Sequence, residues 1–143
     1  MIYMKKKILF ALGCLLFLGS CIKKDTIIQG SQKTVYEITV SPNQWSQAGA
    51  NYGQPGYYLK ADFRANYITA NVLYNGVVLV YVSFDYADVQ LPYILSDQVG
   101  ASRFVEILSY ELNVGSISFT LDASDFQVEP YQFPVTFKII VIE

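Results

Sequence analysis

The sequence predicts an all-β fold, a single antiparallel β-sandwich of about seven strands. Three observations predict it. Apolar and aromatic residues come in short runs rich in Val, Ile, Tyr and Phe, the residue types that fit a pleated surface. Several runs alternate apolar and polar with period two. Turn signals such as Ser41-Pro42-Asn43 and Asn75-Gly76 separate them at short spacing, the pattern of sandwiches and, less well matched here, of small barrels.

Thr34 to Val40 is the first strand, with Val35, Tyr36, Ile38 and Val40. Gln44 to Gln54 reads as a loop with Gly49, Asn51 and Gly53, and Gly56 to Phe63 resumes as strand. Thr69 to Asn75 fits either a helical turn or an ordinary loop. As a helix, Thr69 would cap its start and Asn75-Gly76 would end it in the left-handed conformation. Val77 to Phe84 is apolar on both faces, which suits a central strand covered on both sides. Asp85 to Asp88 is a turn. Gln90 to Leu95 is interrupted by Pro92 and belongs at an edge. Arg103 to Leu112 alternates apart from Glu106 and reads as strand, although Val105, Leu108 and Leu112 also match helical spacing. Ser116 to Asp122 alternates cleanly. In Pro134 to Ile142, Val135, Phe137, Ile139 and Val141 form one face.

The N-terminal segment has another design. Lys5, Lys6 and Lys7 precede an apolar run, Ile8 to Leu18, and Leu18-Gly19-Ser20-Cys21 closes it. This is the order of a secretory signal. The run is too short to span a bilayer, which takes roughly 20 residues. Leu18-Gly19-Ser20-Cys21 resembles the lipobox of bacterial lipoproteins. The resemblance implies cleavage before Cys21 and lipid on its thiol, and Cys14 fits the motif less well. The expected organisation is therefore a signal peptide at 1–20, the lipidated Cys21 with a polar tether at 21–33, and the β-domain at 34–143. Several acyl chains on one residue hold a domain to a membrane without a spanning helix.

The stretch Tyr36-Glu37-Ile38-Thr39-Val40, Trp45, Asn75-Gly76-Val77-Val78-Leu79-Val80-Tyr81, Leu91-Pro92-Tyr93 and Phe137-Lys138-Ile139-Ile140-Val141-Ile142 resembles a group of small, uncharacterised lipoproteins of Bacteroidota. The resemblance covers the chain from about Thr34 onward. It implies a cell-envelope location and a β-rich fold, and it carries no activity. Surface-exported lipoproteins of these bacteria tend to be acidic just after the cysteine. Ile22-Lys23-Lys24 departs from that and favours the periplasmic face of the outer membrane. Ile22 also differs from the aspartate that marks inner-membrane retention.

Composition narrows the chemistry. From Thr34 onward four bases face eleven acids, a net charge of −7, which repels phosphate backbones and argues against nucleic-acid binding. The chain has no histidine, and Cys14 and Cys21 are its two cysteines. Histidine-assisted nucleophiles and His- or Cys-built metal centres are thereby excluded, and no cofactor is expected. Asp85-x-x-Asp88 and Asp122-x-x-Asp125 read as turn aspartates, with calcium as the minor alternative. A glycosidase-type carboxylate pair among Asp62, Glu106 and Glu111 would depend on their separation. The notable cluster is aromatic: Trp45, Tyr52, Tyr57 and Tyr58 stand among Asn43, Gln44, Gln47, Asn51 and Gln54. Rings with amides suit a protein interface or a sugar, and equally rings that cap a core with wet polar tips. The function expected is that of a non-enzymatic envelope protein presenting a protein-interaction surface, with a carbohydrate-binding module as the alternative.

Overall fold

The computed structural model describes residues 31–143, so the signal segment, Cys21 and most of the tether lie outside the described residues. The fold is the antiparallel β-sandwich that the alternation predicts. Sheet A has the strand order β1-β9-β4-β5, from Lys33–Val40, Val135–Ile142, Val77–Phe84 and Ala87–Gln90. Sheet B has the order β2-β3-β8-β7-β6, from Ser46–Gly49, Tyr57–Arg64, Ser116–Ala123, Ser102–Asn113 and Tyr93–Val99.

The described residues form nine strands where about seven are expected. The two extra ones, β2 and β5, have four residues each and occupy sheet edges. Gln44 to Gln54 is therefore not all loop, and the Asp85–Asp88 turn is shorter than expected. Neither extra strand carries a continuous apolar face, because an edge strand can be held by ladder bonds to one neighbour. β6 is also an edge strand, beginning just after Pro92 as that residue predicts. The Arg103–Leu112 region is strand throughout, its helical spacing being incidental.

The core lies between the two central strands. Phe137 of β9 and Phe119 of β8 are fully buried and stack across the sandwich, ring centroids 3.8 Å apart and 12° from parallel. Ile117, Leu121 and Leu108 extend the apolar layer in sheet B; Val80, Val82 and Ile139 extend it in sheet A. Phe63 packs against Phe119 at 6.0 Å.

The chain crosses between sheets at both ends. After β1, the Ser41 N–H donates to Gln44 Oε1 at 2.7 Å across a 3-10 turn, Pro42–Gln44, that leads into β2. At the end where β1 begins, Ala65 and Ile68 bond to Gly115, and Tyr67 stacks on Tyr36 at 3.6 Å. Residues 69–75 resolve to a helical turn, α1 (Ala70–Asn75), with the Thr69 hydroxyl accepting from the Val72 N–H. Gly76 ends it differently from expectation. It is extended, with φ −98°, and its role is close approach: a Cβ there would lie 2.7 Å from the Ile142 carbonyl oxygen and 2.9 Å from that of Val72. At the opposite end residues 124–134 run from β8 to β9, with buried Val128 plugging the sandwich.

β4 is interior in sheet A but is not covered on both sides. Val80 and Val82 face the core, whereas the side bearing Val77, Leu79 and Tyr81 is not sealed and Val77 is half exposed.

Deleting a ring at the centre removes contacts from both sheets at once. Phe137→Ala and Phe119→Ala should each cost about 3–5 kcal/mol, read by urea denaturation. The double variant should lose less than the sum, because each deletion removes the same stack.

Candidate functional site

The aromatic loop predicted from sequence divides into buried and open parts. Ser46 through Gly49 forms β2 and pairs with Tyr57–Lys60 of β3. That pairing drives Trp45 and Tyr57 inward, at 7% and 6% exposure. The Trp45 indole N–H is buried and has no hydrogen-bond partner among the described residues. Both rings belong to the core, and Tyr58 is half-buried. Tyr52 stays half exposed and meets Tyr57 edge-on at 5.3 Å. Gly49 makes the loop's return tight. Its φ is +67°, and a Cβ would fall 2.0 Å from the Gly56 carbonyl oxygen. The Gly53 N–H donates to the Phe126 carbonyl at 2.8 Å, which ties this loop to the crossing segment 124–134.

The exposed rings gather elsewhere on that same end. Tyr86, in the β4–β5 turn, is fully exposed; Phe84 and Phe133 are about half exposed. With Ser83, Asp85 and Pro134 they line a groove of about 560 Å³. Phe84 is held edge-on by Tyr93 at 5.6 Å, and Phe133 stacks against Tyr131 at 5.6 Å. The two rings that flank the groove are thus each fixed from behind by a less exposed tyrosine. A second groove, of about 490 Å³, lies along the same crossing segment and is acidic, lined by Glu106, Asp125 and Glu129 among others. Burial, reinforced by the charge of Glu106 and by Tyr93, pushes the Tyr131 hydroxyl up to about 12.

A signal for this rim is present in the sequence. Tyr86 sits inside a turn and Phe133 directly before Pro134. Aromatics at such positions fall outside any strand alternation, so no inward strand face claims them.

Several of the candidate carboxylates are engaged within the fold. Asp88 accepts from Ser83 and pairs with Lys138 across sheet A, and the lysine holds its carboxyl below the usual range. Asp125 accepts from the Gln127 N–H at 3.1 Å, as turn aspartates do. Asp62 accepts from Ser118, and Lys60 bridges Asp62 and Glu111 at 3.4 and 3.5 Å. Asp62 and Glu111 therefore share one cation on the outer face of sheet B, and Glu106 lines the acidic groove. Among the described residues, no group of three or more His, Cys, Asp or Glu is placed to hold a metal. No described helix is long and apolar enough to cross a membrane.

Trp45→Ala should destabilise the domain by about 3–5 kcal/mol, whereas Tyr86→Ala should change stability by less than about 0.5 kcal/mol; urea melts of both variants check this. Tyr131 should be among the last tyrosines to ionise in an alkaline absorbance titration. Its folded value lies above the unfolded 10, so its contribution to stability is complete below pH 10 and is lost as pH rises toward 12. Tyr131→Phe should remove that part of the alkaline loss.

No protein-family model, curated protein or solved structure matches this chain.

Proposed function

We propose that this protein is a non-enzymatic, lipid-anchored component of the cell envelope that presents a protein-interaction surface. Cys21, at the end of the secretory signal, carries the lipid, on the outer membrane with the periplasmic face favoured. The working surface is the aromatic rim built from Phe84, Tyr86 and Phe133. The observation that supports this reading is the full exposure of Tyr86 between two half-exposed rings. Isolated exposed apolar side chains are ordinary, but a contiguous group of aromatics beside a groove is characteristic of binding sites. The expected candidate loop contributes its one half-exposed ring, Tyr52, to the same end of the sandwich.

Sugar binding is the second reading. The groove, about 560 Å³, is within the range of small-ligand sites. The flat Tyr86 ring stands beside Asp85 and Ser83, a pairing of apolar face and hydroxyl-bonding groups that a glycan needs.

A photo-crosslinker at Tyr86 in the full-length protein, activated in the native envelope, should give one dominant protein adduct. The same group at exposed Asn71, on α1, should not. Tyr86→Ala and Phe133→Ala should each weaken recovery of the partner severalfold while leaving the urea midpoint unchanged. A glycan adduct at Tyr86, with no protein adduct, would transfer the rim to the second reading. Intact mass tests the anchor: the mature protein should carry acyl chains, and Cys21→Ser should release it from the membrane.

A further inference from the structure

The outer face of sheet A is graded along its strands. At the end where β1 begins, two rows run across it in register: Lys33, Ile142 and Val77, then Val35, Ile140 and Leu79. Five of these six are apolar. Val35 and Val77 are about half exposed, and Leu79, Ile140 and Ile142 are only partly covered. The next row is Glu37, Lys138 and Tyr81, with Lys138 paired to Asp88; the one after is Thr39, Thr136 and Ser83. Apolar residues thus give way to an ion-paired row and then to hydroxyls. Tyr74, 84% exposed and three residues before Val77, stands at the apolar end.

We propose that this apolar half-face is a lipid-docking surface that lies against the membrane carrying the Cys21 anchor, a proposal that rests on the anchored reading above. Three observations select a bilayer as the occupant. The first is where the tether arrives. Gln32 and Glu143 exchange backbone hydrogen bonds at 3.2 Å, so the chain joins the sandwich at the edge of the patch. The thirteen residues from Cys21 to Lys33 can span at most about 45 Å. Such a leash holds the patch at a high effective concentration beside the lipid, so weak apolar contact suffices. The second is the gradient itself, which follows the sequence of environments met on leaving a bilayer: acyl boundary, charged headgroups, water. Tyrosine is a side chain suited to that boundary. The third is charge. Asp85, Asp125 and Glu129 line the grooves at the opposite end, around the aromatic rim and its crossing segment, away from anionic headgroups, and Asp88 is paired with Lys138 in the intermediate row. Lys33 and Glu143 flank the patch itself and offset one another. Docked in this way, the domain turns its aromatic rim away from the membrane that holds it.

The test uses the full lipoprotein in vesicles of phosphatidylethanolamine and phosphatidylglycerol. Spin labels are placed at Val35→Cys and Val77→Cys, both half exposed, and at Thr39→Cys on the same face beyond the charged row. Flotation and acyl mass are read first. Collision with oxygen is then compared with collision with a water-soluble nickel chelate. The labels at 35 and 77 should favour oxygen severalfold more than the label at 39. Equal ratios at all three positions on a protein that floats would overturn the docking surface and leave the anchor standing. Label–label broadening at 35 and 77 would show a second copy as the occupant and overturn it too. A protein without acyl mass that fails to float would remove the anchor and the docking surface together.

Discussion

The stack of Phe119 on Phe137 is the contact on which the rest of the sandwich depends. Each ring sits on an interior strand of its sheet, with paired strands on both sides. Residues 31–143 contain no cysteine, so no disulfide substitutes for that contact and the two sheets are held in place by packing alone. Everything at the rim is positioned from there. Residues 124–134 leave β8 four residues after Phe119 and enter β9 two residues before Phe137, so the crossing segment that carries Tyr131 and Phe133 is pinned at both ends by the same stacked pair.

Much of the fold is legible in the sequence because the core strands obey one rule. The alternation of Ile117, Phe119 and Leu121, and of Val135, Phe137, Ile139 and Val141, marks both the strand and its inner face. The edge strands β2 and β5 escape because a strand hydrogen-bonded on one side needs no apolar stripe. β4 misleads in a more informative way. Its continuous apolar run predicts cover on both faces, and the sandwich supplies only one. The sequence pattern is sound as chemistry; what it implies is a surface that water alone does not suit.

The aromatic site is half legible. Trp45, Tyr52, Tyr57 and Tyr58 are close in sequence, but strand geometry sends neighbours to opposite faces. The ladder between β2 and β3 takes Trp45 and Tyr57 into the core and leaves Tyr52 outside. The rim that replaces them brings Phe84 and Tyr86 together with Phe133, residues about 50 positions apart in the chain. The antiparallel pairing of β4 with β9, which sets Ser83 opposite Thr136, brings them together, and no local pattern encodes it. Local signals such as the Thr69 cap and the Pro92 edge are readable because their causes lie within a few residues.

The pairing of β1 with β9 has a mechanical consequence. Eight register pairs join them, from Lys33 opposite Ile142 to Val40 opposite Val135, and antiparallel ladder bonds lie perpendicular to the strands. A pull on Lys33 opposed by a pull on the aromatic rim acts along the strand axis. The ladder is then sheared, and its bonds share the tension together. The same pull directed sideways, out of the sheet edge, would peel β1 away one bond at a time. The direction of tension, more than the number of bonds, therefore sets how firmly the first strand is held.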